Sequence, residues 1–108
     1  MRHCVVINFA PCRKELKDFP EVVREDLADA LAKLEAGVVL SMPLSRPMPS
    51  IGMRVHELRL RDRSGIYRVV YFLAINRNIH VLCAFKKTTQ KTEQRYLELA
   101  KQRLREVL

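Results

Sequence analysis

The sequence contains no tryptophan, and with three tyrosines and four phenylalanines it has few rings to spare for its surface. A module that reads single-stranded nucleic acid by stacking on its bases needs exposed aromatic platforms, so that class is disfavoured. The three cysteines form no C-x-x-C pair, and His3, His56 and His80 are scattered away from them. No ligand set stands at metal-binding spacing, and neither a metal nor another cofactor is expected. An odd cysteine count reads as reduced thiols in a cytoplasmic protein, with Cys4 and Cys83 in strands. No apolar run is long enough to span a bilayer, and no charged–apolar–small signal opens the chain. The cations that cluster do so on the predicted strands rather than along a helix with large apolar anchors, so a membrane-surface role is not expected either.

What is present is a chain of 108 residues, 48% hydrophobic and 30% charged, enough for one domain with a single core and too ordered in composition for disorder. Twenty lysines and arginines against twelve acids give a net charge of +8. That sign favours a polyanionic partner, nucleic acid ahead of an anionic membrane or an acidic protein.

The organising stretch is VHELRLRDRSGIYRVVYFLAINRNIHVLCAFKKTTQK, residues 55–91. Residues 55–61 alternate, with His56, Leu58 and Leu60 on one face and Glu57, Arg59 and Arg61 on the other. That period of two predicts a strand with one buried and one wet face. Asp62-Arg63-Ser64-Gly65 is a hairpin turn whose glycine can take positive φ. Residues 66–75 are rich in β-branched and aromatic side chains, and Asn76-Arg77-Asn78 turns the chain again. The apolar run at 79–85 predicts an inner strand covered on both faces. A meander of this kind can gather Arg59, Arg61, Arg68, Lys86 and Lys87 on one side of a sheet, an arrangement suited to a polyanion. Tyr67 and Tyr71 alternate with Arg68 and are expected to face the core, base stacking by Tyr67 being the lesser alternative. His56 shares its face with Leu58 and Leu60 and reads as a core-edge histidine, a base in reserve only if a bulge turns it.

Before the meander, CVVINF at 4–9 predicts a first strand, and Pro11 starts a helical turn reaching Leu16. Asp18-Phe19-Pro20-Glu21 then opens the main helix with Asp18 as cap, Val23, Leu27, Ala30, Leu31 and Leu34 as its apolar stripe, and Gly37 as its end. Residues 38–54 hold Pro43, Pro47 and Pro49 and read as an extended loop, a connector or a functional segment carrying Arg46 and Arg54. The chain closes with a helix begun near Thr92 and Glu93. Its seam of Leu97, Ala100, Leu104 and Val107 or Leu108 either packs on the sheet or is left for a partner. The fold class is α+β: one sheet, the first strand plus a β-β-β meander, packed against an N-terminal helical hairpin, with a C-terminal helix and the helices largely on one face.

At this point PMPSIGMRVHELRLRDRSGIYRVVYF, HVLCAFKKTTQKT and the helix LELAKQRL together resemble the RelE/ParE superfamily of toxins, in its phage-derived, HigB-like branch. The resemblance runs from KELKDFPEVVREDL to the end and implies a RelE-like fold. It implies the toxin half of a type II toxin–antitoxin pair: a metal-independent mRNA endoribonuclease working on the ribosome and inhibiting translation. A ParE-like inhibitor of DNA gyrase, contacting its target through the last helix, is the alternative, and a plain RNA-binding module is a third. Residue by residue, Arg68 matches the strand cation that contacts the scissile phosphate. Arg59 and Arg61 match basic positions of the preceding strand, and Lys86 and Lys87 match the cation after the last strand. The family's late acid/base is a tyrosine or a histidine; no histidine follows His80, and Tyr96 is the only late tyrosine. Arg54, Lys86 and Gln90 are expected to bind RNA. The implied partners are mRNA and a cognate antitoxin, a small helix-turn-helix protein.

Metal-free cleavage moves the 2′-OH onto phosphorus through a pentacoordinate state with extra charge. It needs a proton acceptor, a proton donor and fixed positive charge at the nonbridging oxygens. An arginine fork holds two phosphate oxygens and stays charged, a task for Arg68 with Arg59 or Arg61. A lysine crowded by arginines has a lowered pKa, which makes Lys87 or Lys91 a candidate for exchanging the proton.

Overall fold

The hairpin at the centre follows from its turn. Asp62 Oδ1 accepts from the backbone N–H of Ser64 at 2.8 Å and from its hydroxyl at 2.6 Å, and Gly65 takes φ +149°. Arg63 and Ser64 are thus the two-residue loop of a hairpin in which Asp62 pairs with Gly65. In the computed structural model, which describes residues 6–108, the strands are β1 (Ile7–Asn8), β2 (Ser45–Pro47), β3 (Val55–Asp62), β4 (Gly65–Leu73) and β5 (Ile79–Lys86). They form one sheet in the order β1-β5-β4-β3-β2, with β1 parallel to β5 and the other pairs antiparallel. The expected first strand is reduced to Ile7–Asn8, and the portion of it at 4–5, with His3 and Cys4, lies outside the described residues.

Two expectations about the sheet need correction. The proline-rich segment is not loop throughout, because Ser45–Pro47 joins the sheet as β2. An edge strand tolerates proline, whose missing N–H can face away from the ladder. The helices also do not lie largely on one face. The short α1 (Arg13–Lys17) and the long α2 (Glu21–Glu35) cover one side, and α3 (Gln90–Val107) packs on the other. Leu58, Leu60, Tyr67, Val69, Tyr71 and Val81 meet Phe19, Val23 and Leu27 in the first core. Val55, Val70, Phe72, Leu82, Cys83 and Phe85 meet Ala100 and Leu104 in the second. β3 therefore has no wet face over most of its length.

A bulge serves this double burial. Val70 pairs with Cys83 but Tyr71 with Val81, so Leu82 is the extra residue, and Leu82 and Cys83 both join the α3-side core. Because β1 pairs only with Ile79 and His80, the edge of β5 beyond them needs other partners. The Cys12 thiol donates to the Val81 carbonyl at 3.2 Å, and Arg103 of α3 donates to the Leu82 carbonyl at 2.9 Å. Arg103 also donates to Glu15 of α1 at 2.7 Å, fastening α3 to α1 around that open edge. Burial pushes the Cys12 thiol up to about 12 and raises Cys83 as well, so both are protonated and unreactive near neutral pH.

The helix ends differ in how well their signals worked. Asp18 is the C-cap of α1, whereas the N-cap of α2 is Pro20, with no side-chain cap. At the other end Gly37, at φ +89°, donates to Leu34 O and Val38 donates to Lys33 O, a Schellman close. α3 begins slightly earlier than expected, with the Thr89 hydroxyl accepting from the Thr92 N–H. Its seam is packed on the sheet at Leu97, Ala100, Leu104 and Val107, while Leu108 is exposed.

Candidate active site

The hairpin register sets Arg59 directly opposite Arg68 and Arg61 opposite Ile66. Directly opposed like charges repel, so a counter-charge is needed. Glu57 supplies it. Two residues before Arg59, it lies on the same face, and its Oε1 is 3.5 Å from Arg68 Nε. Glu57 also stands opposite Arg46 of β2. Glu57 is 3% exposed and Arg68 5%, so this is a buried ion pair at the edge of the α3-side core. Burial raises the Glu57 carboxyl above its ordinary value, against the pull of Arg68. Burial likewise lowers the Arg68 guanidinium, with Glu57 opposing the shift, and an arginine so placed remains charged near neutrality. Glu93 of α3 adds negative charge near both, and Arg59 and Arg46 add positive charge. The second carboxylate oxygen of Glu57 is buried without a hydrogen-bond partner among the described residues.

Beyond the ion pair the face opens. Arg59, Arg61 and Arg68 line a cleft of about 370 Å³ with Pro43, Leu44 and Ile66. On β5, Phe85 is registered opposite Arg68, and Tyr96 of α3 stacks on it at 4.9 Å between centroids and 7° between planes. The Arg95 guanidinium lies 5.2 Å from the Tyr96 ring centroid. Three arginines are thus gathered at one end of one sheet face, while Tyr96 lies beyond Phe85 toward α1, where it lines a separate cavity with Lys14, Glu15 and Asp18. Among the described residues no group of three or more His, Cys, Asp or Glu is placed to hold a metal ion, and no helix is long and apolar enough to cross a membrane.

Residues 14–105 match the model of a family described as phage derived protein, Gp49-like. The chain belongs to that family. Its fold is that of the Escherichia coli toxin RelE. The free toxin, in a double arginine-to-alanine form, matches with a TM-score of 0.61 over 89% of this chain and 97% of that one, at 20% identity. The intact E. coli RelBE toxin–antitoxin complex matches with a TM-score of 0.47, covering 79% of this chain and 99% of that one at 22% identity. No curated protein matches the sequence.

Within this Gp49-like chain the expected site residues separate into those brought together and those not. Arg59, Arg61 and Arg68 share the cleft, whereas Tyr96, stacked on the far side of Phe85, lines a different cavity with Lys14, Glu15 and Asp18. Lys87 is exposed at the exit of β5, its N–H donating to Ile66 O, and Gln90 and Lys91 are exposed in the first turn of α3. Lys86 does not join the arginines. It pairs with Tyr67 and lies over that ring at 5.9 Å, on the face covered by α1 and α2, because alternation turns it away from Phe85 and Lys87. Arg54 is also apart. It precedes β3 at φ +64°, with Nε bonded to Leu73 O at 2.6 Å, and Arg61 lies a whole strand away, roughly 20 Å at the usual rise.

His56 is a core-edge histidine. It stacks on Tyr71 at 5.4 Å on the α2 side, away from Arg68, and burial first and Arg54 second lower its pKa. Tyr67 and Tyr71 are buried, their hydroxyls held 2.6 Å from those of Ser64 and Ser45. Neither is free to stack on a base. Sequence reasoning missed Glu57, which it assigned to a wet face, and missed Arg46 as its neighbour. The signal was present: a two-residue turn at Arg63-Ser64 sets the register and puts Glu57 diagonal to Arg68, within reach of long side chains.

Proposed function

We propose that this Gp49-like chain is the toxin of a toxin–antitoxin pair and a metal-independent mRNA endoribonuclease that works in the cytoplasm on ribosome-associated message. The observation that carries this reading is the convergence of Arg59, Arg61 and Arg68 on one cleft of a RelE-like sheet. Arg68 neutralises the charge that grows on the nonbridging oxygens as the 2′-OH attacks phosphorus, and Arg59 and Arg61 hold the flanking phosphates. Tyr96, stacked beside Arg68's strand neighbour, and Lys87 or Lys91, on the exposed lip of the same end, carry the proton transfers. A gyrase-type contact through α3 is less well supported, because the seam of that helix is spent on the sheet. The net charge of +8 and the arginine-lined cleft fit a silencing antitoxin, a small helix-turn-helix protein whose acidic segment covers the cleft.

The test is induction in cells, with growth and new mRNA 5′ ends followed together. Arg68→Ala should lose ~10²–10³-fold in cleavage while binding RNA nearly as well. Arg68→Lys should recover little, since an ammonium cannot hold two oxygens at once. Arg63→Ala, in the exposed hairpin turn, removes the same charge and should cut like the parent. Folded Arg68→Ala that still cleaves removes the proposed site; growth arrest without cleavage by the parent itself turns the reading to gyrase.

A further inference from the structure

We propose that Glu57 is a positioning residue of this site: its buried carboxylate holds the Arg68 guanidinium by Nε and is the counter-charge that lets Arg59 and Arg68 stand opposite each other. The proposal rests on the nuclease reading for its chemistry but on Glu57 itself for its geometry. Glu57 touches Arg68 at 3.5 Å, is almost wholly buried, and keeps one oxygen with no donor among the described residues. A buried carboxylate half used in this way is costly, and stability alone does not explain it. The ion pair engages Nε, and Arg68 also lines the cleft, so its two terminal nitrogens are the part of the fork left for a ligand. That division is what phosphate recognition needs: one edge of the guanidinium anchored in the protein, the other presented.

The charged groups around Glu57 come from every neighbouring strand and helix: Arg46 on β2, Arg59 on β3, Arg68 on β4 and Glu93 on α3. Three cations surround two acids, so removing Glu57 changes both the aim of Arg68 and the balance of the cluster. Glu57 is also too enclosed to meet the 2′-OH directly in this arrangement, which separates a positioning role from that of a proton acceptor.

The experiment combines a double-mutant cycle with a direct reading of Arg68. Glu57→Gln should lower kcat for a short RNA by up to about 100-fold, with KM changed little. It should add no further loss in the Arg68→Ala background, because its effect passes through that side chain. The acid limb of the pH–rate profile should persist in Glu57→Gln. In nitrogen-15 spectra of the folded protein, the Arg68 Nε–H signal, assigned by its disappearance in Arg68→Lys, should shift and exchange faster with water once Glu57 is replaced. An unchanged Nε–H signal overturns the proposal whatever the activity. So do multiplicative losses in the cycle, which would mean that Glu57 acts independently, or an acid limb abolished by Glu57→Gln, which would make Glu57 the base. Should the parent not cleave RNA, the nuclease reading fails by itself and the spectra still decide the role of Glu57. If Glu57→Gln does not fold, Glu57→Asp, which withdraws the charge by one methylene, is read in the same way.

Discussion

The same three strands present two buried faces of opposite character. Toward α1 and α2 they offer Leu58, Leu60, Tyr67, Val69, Tyr71 and Val81, with both tyrosine hydroxyls paired to serines. Toward α3 they are apolar at Val55, Val70, Phe72, Cys83 and Phe85, and then give way to Glu57, Arg59 and Arg68. Both faces are buried over most of their length, but only the first uses its whole length to stabilise the fold, and the second opens at Arg59 and Arg61. A buried ion pair usually contributes little against an apolar substitute of the same shape, so keeping one implies a use beyond stability. One face supplies the stability that allows the other to carry strained charge.

The largest expected effect comes from breaking that charge pair on one side only. Glu57→Leu should destabilise by ~3–5 kcal/mol, because Arg68 is left buried and unpaired. Adding Arg68→Met should restore most of the loss, or exceed it, by making the α3 face resemble its counterpart. Urea unfolding of the two variants decides this. A double variant as unstable as the single one would mean that the pair is a net stabiliser and that the two faces are more alike than described.

On the opposite face, Leu58→Ala should cost ~2–5 kcal/mol, since a fully buried side chain in the α2-side core is replaced by a cavity. No second substitution among polar partners should recover it. A loss below that range would mean that α2 settles into the space, and would weaken the contrast.

These two sites also mark what the sequence made legible. Leu58 as core was readable because period-two alternation reports the face of a strand directly. Glu57, Arg59 and Arg61 read as a wet face by the same logic, which holds at exposed Arg61 and misleads at buried Glu57. Alternation says which residues share a face, not whether something covers it. The cover here is α3, more than thirty residues later, whose seam was visible but whose destination was not. Gathering Arg59, Arg61 and Arg68 needed only the hairpin register, so that part of the candidate site was legible. Lys86 and Arg54 were misplaced for lack of a side or an end: Lys86 alternates onto the other face, and Arg54 starts the strand that Arg61 nearly finishes. β2 was hidden because proline argues against strands except at an edge, and edges are not visible in sequence.

A smaller effect tests how α3 is anchored over the charged face. Thr89→Ala removes the hydroxyl that accepts from the Thr92 N–H and should cost ~1 kcal/mol. Because Glu93 and Tyr96 sit in the first turns of α3, hydrogen exchange should quicken there and not in α2. Uniform quickening would mean that the helix start is not a separate unit.

The smallest effect separates the two faces at adjacent residues. His56 looks toward α2 and Glu57 toward α3, and burial, in each the leading cause, penalises the charged form of both. For the imidazole this lowers the folded pKa below 6.5, so the unfolded chain binds more protons between the two values. Its contribution is complete above about 6.5 and is lost as pH falls through the folded value. For the carboxyl the folded pKa lies above 4.5, so the folded chain binds more protons; that contribution is complete below about 4.5 and is lost as pH rises through the folded value. The two slopes oppose each other in mildly acid solution, where Asp62, whose pKa is lowered from 3.8 by its bond to Ser64, no longer titrates. Unfolding free energies from pH 4.5 to 7 should therefore carry both opposed slopes in the parent. They should fall with pH in His56→Phe, where only the carboxyl acts, and rise with pH in Glu57→Gln, where only the imidazole does. Slopes of the same sign in both variants would show that one of the two side chains is not buried as described.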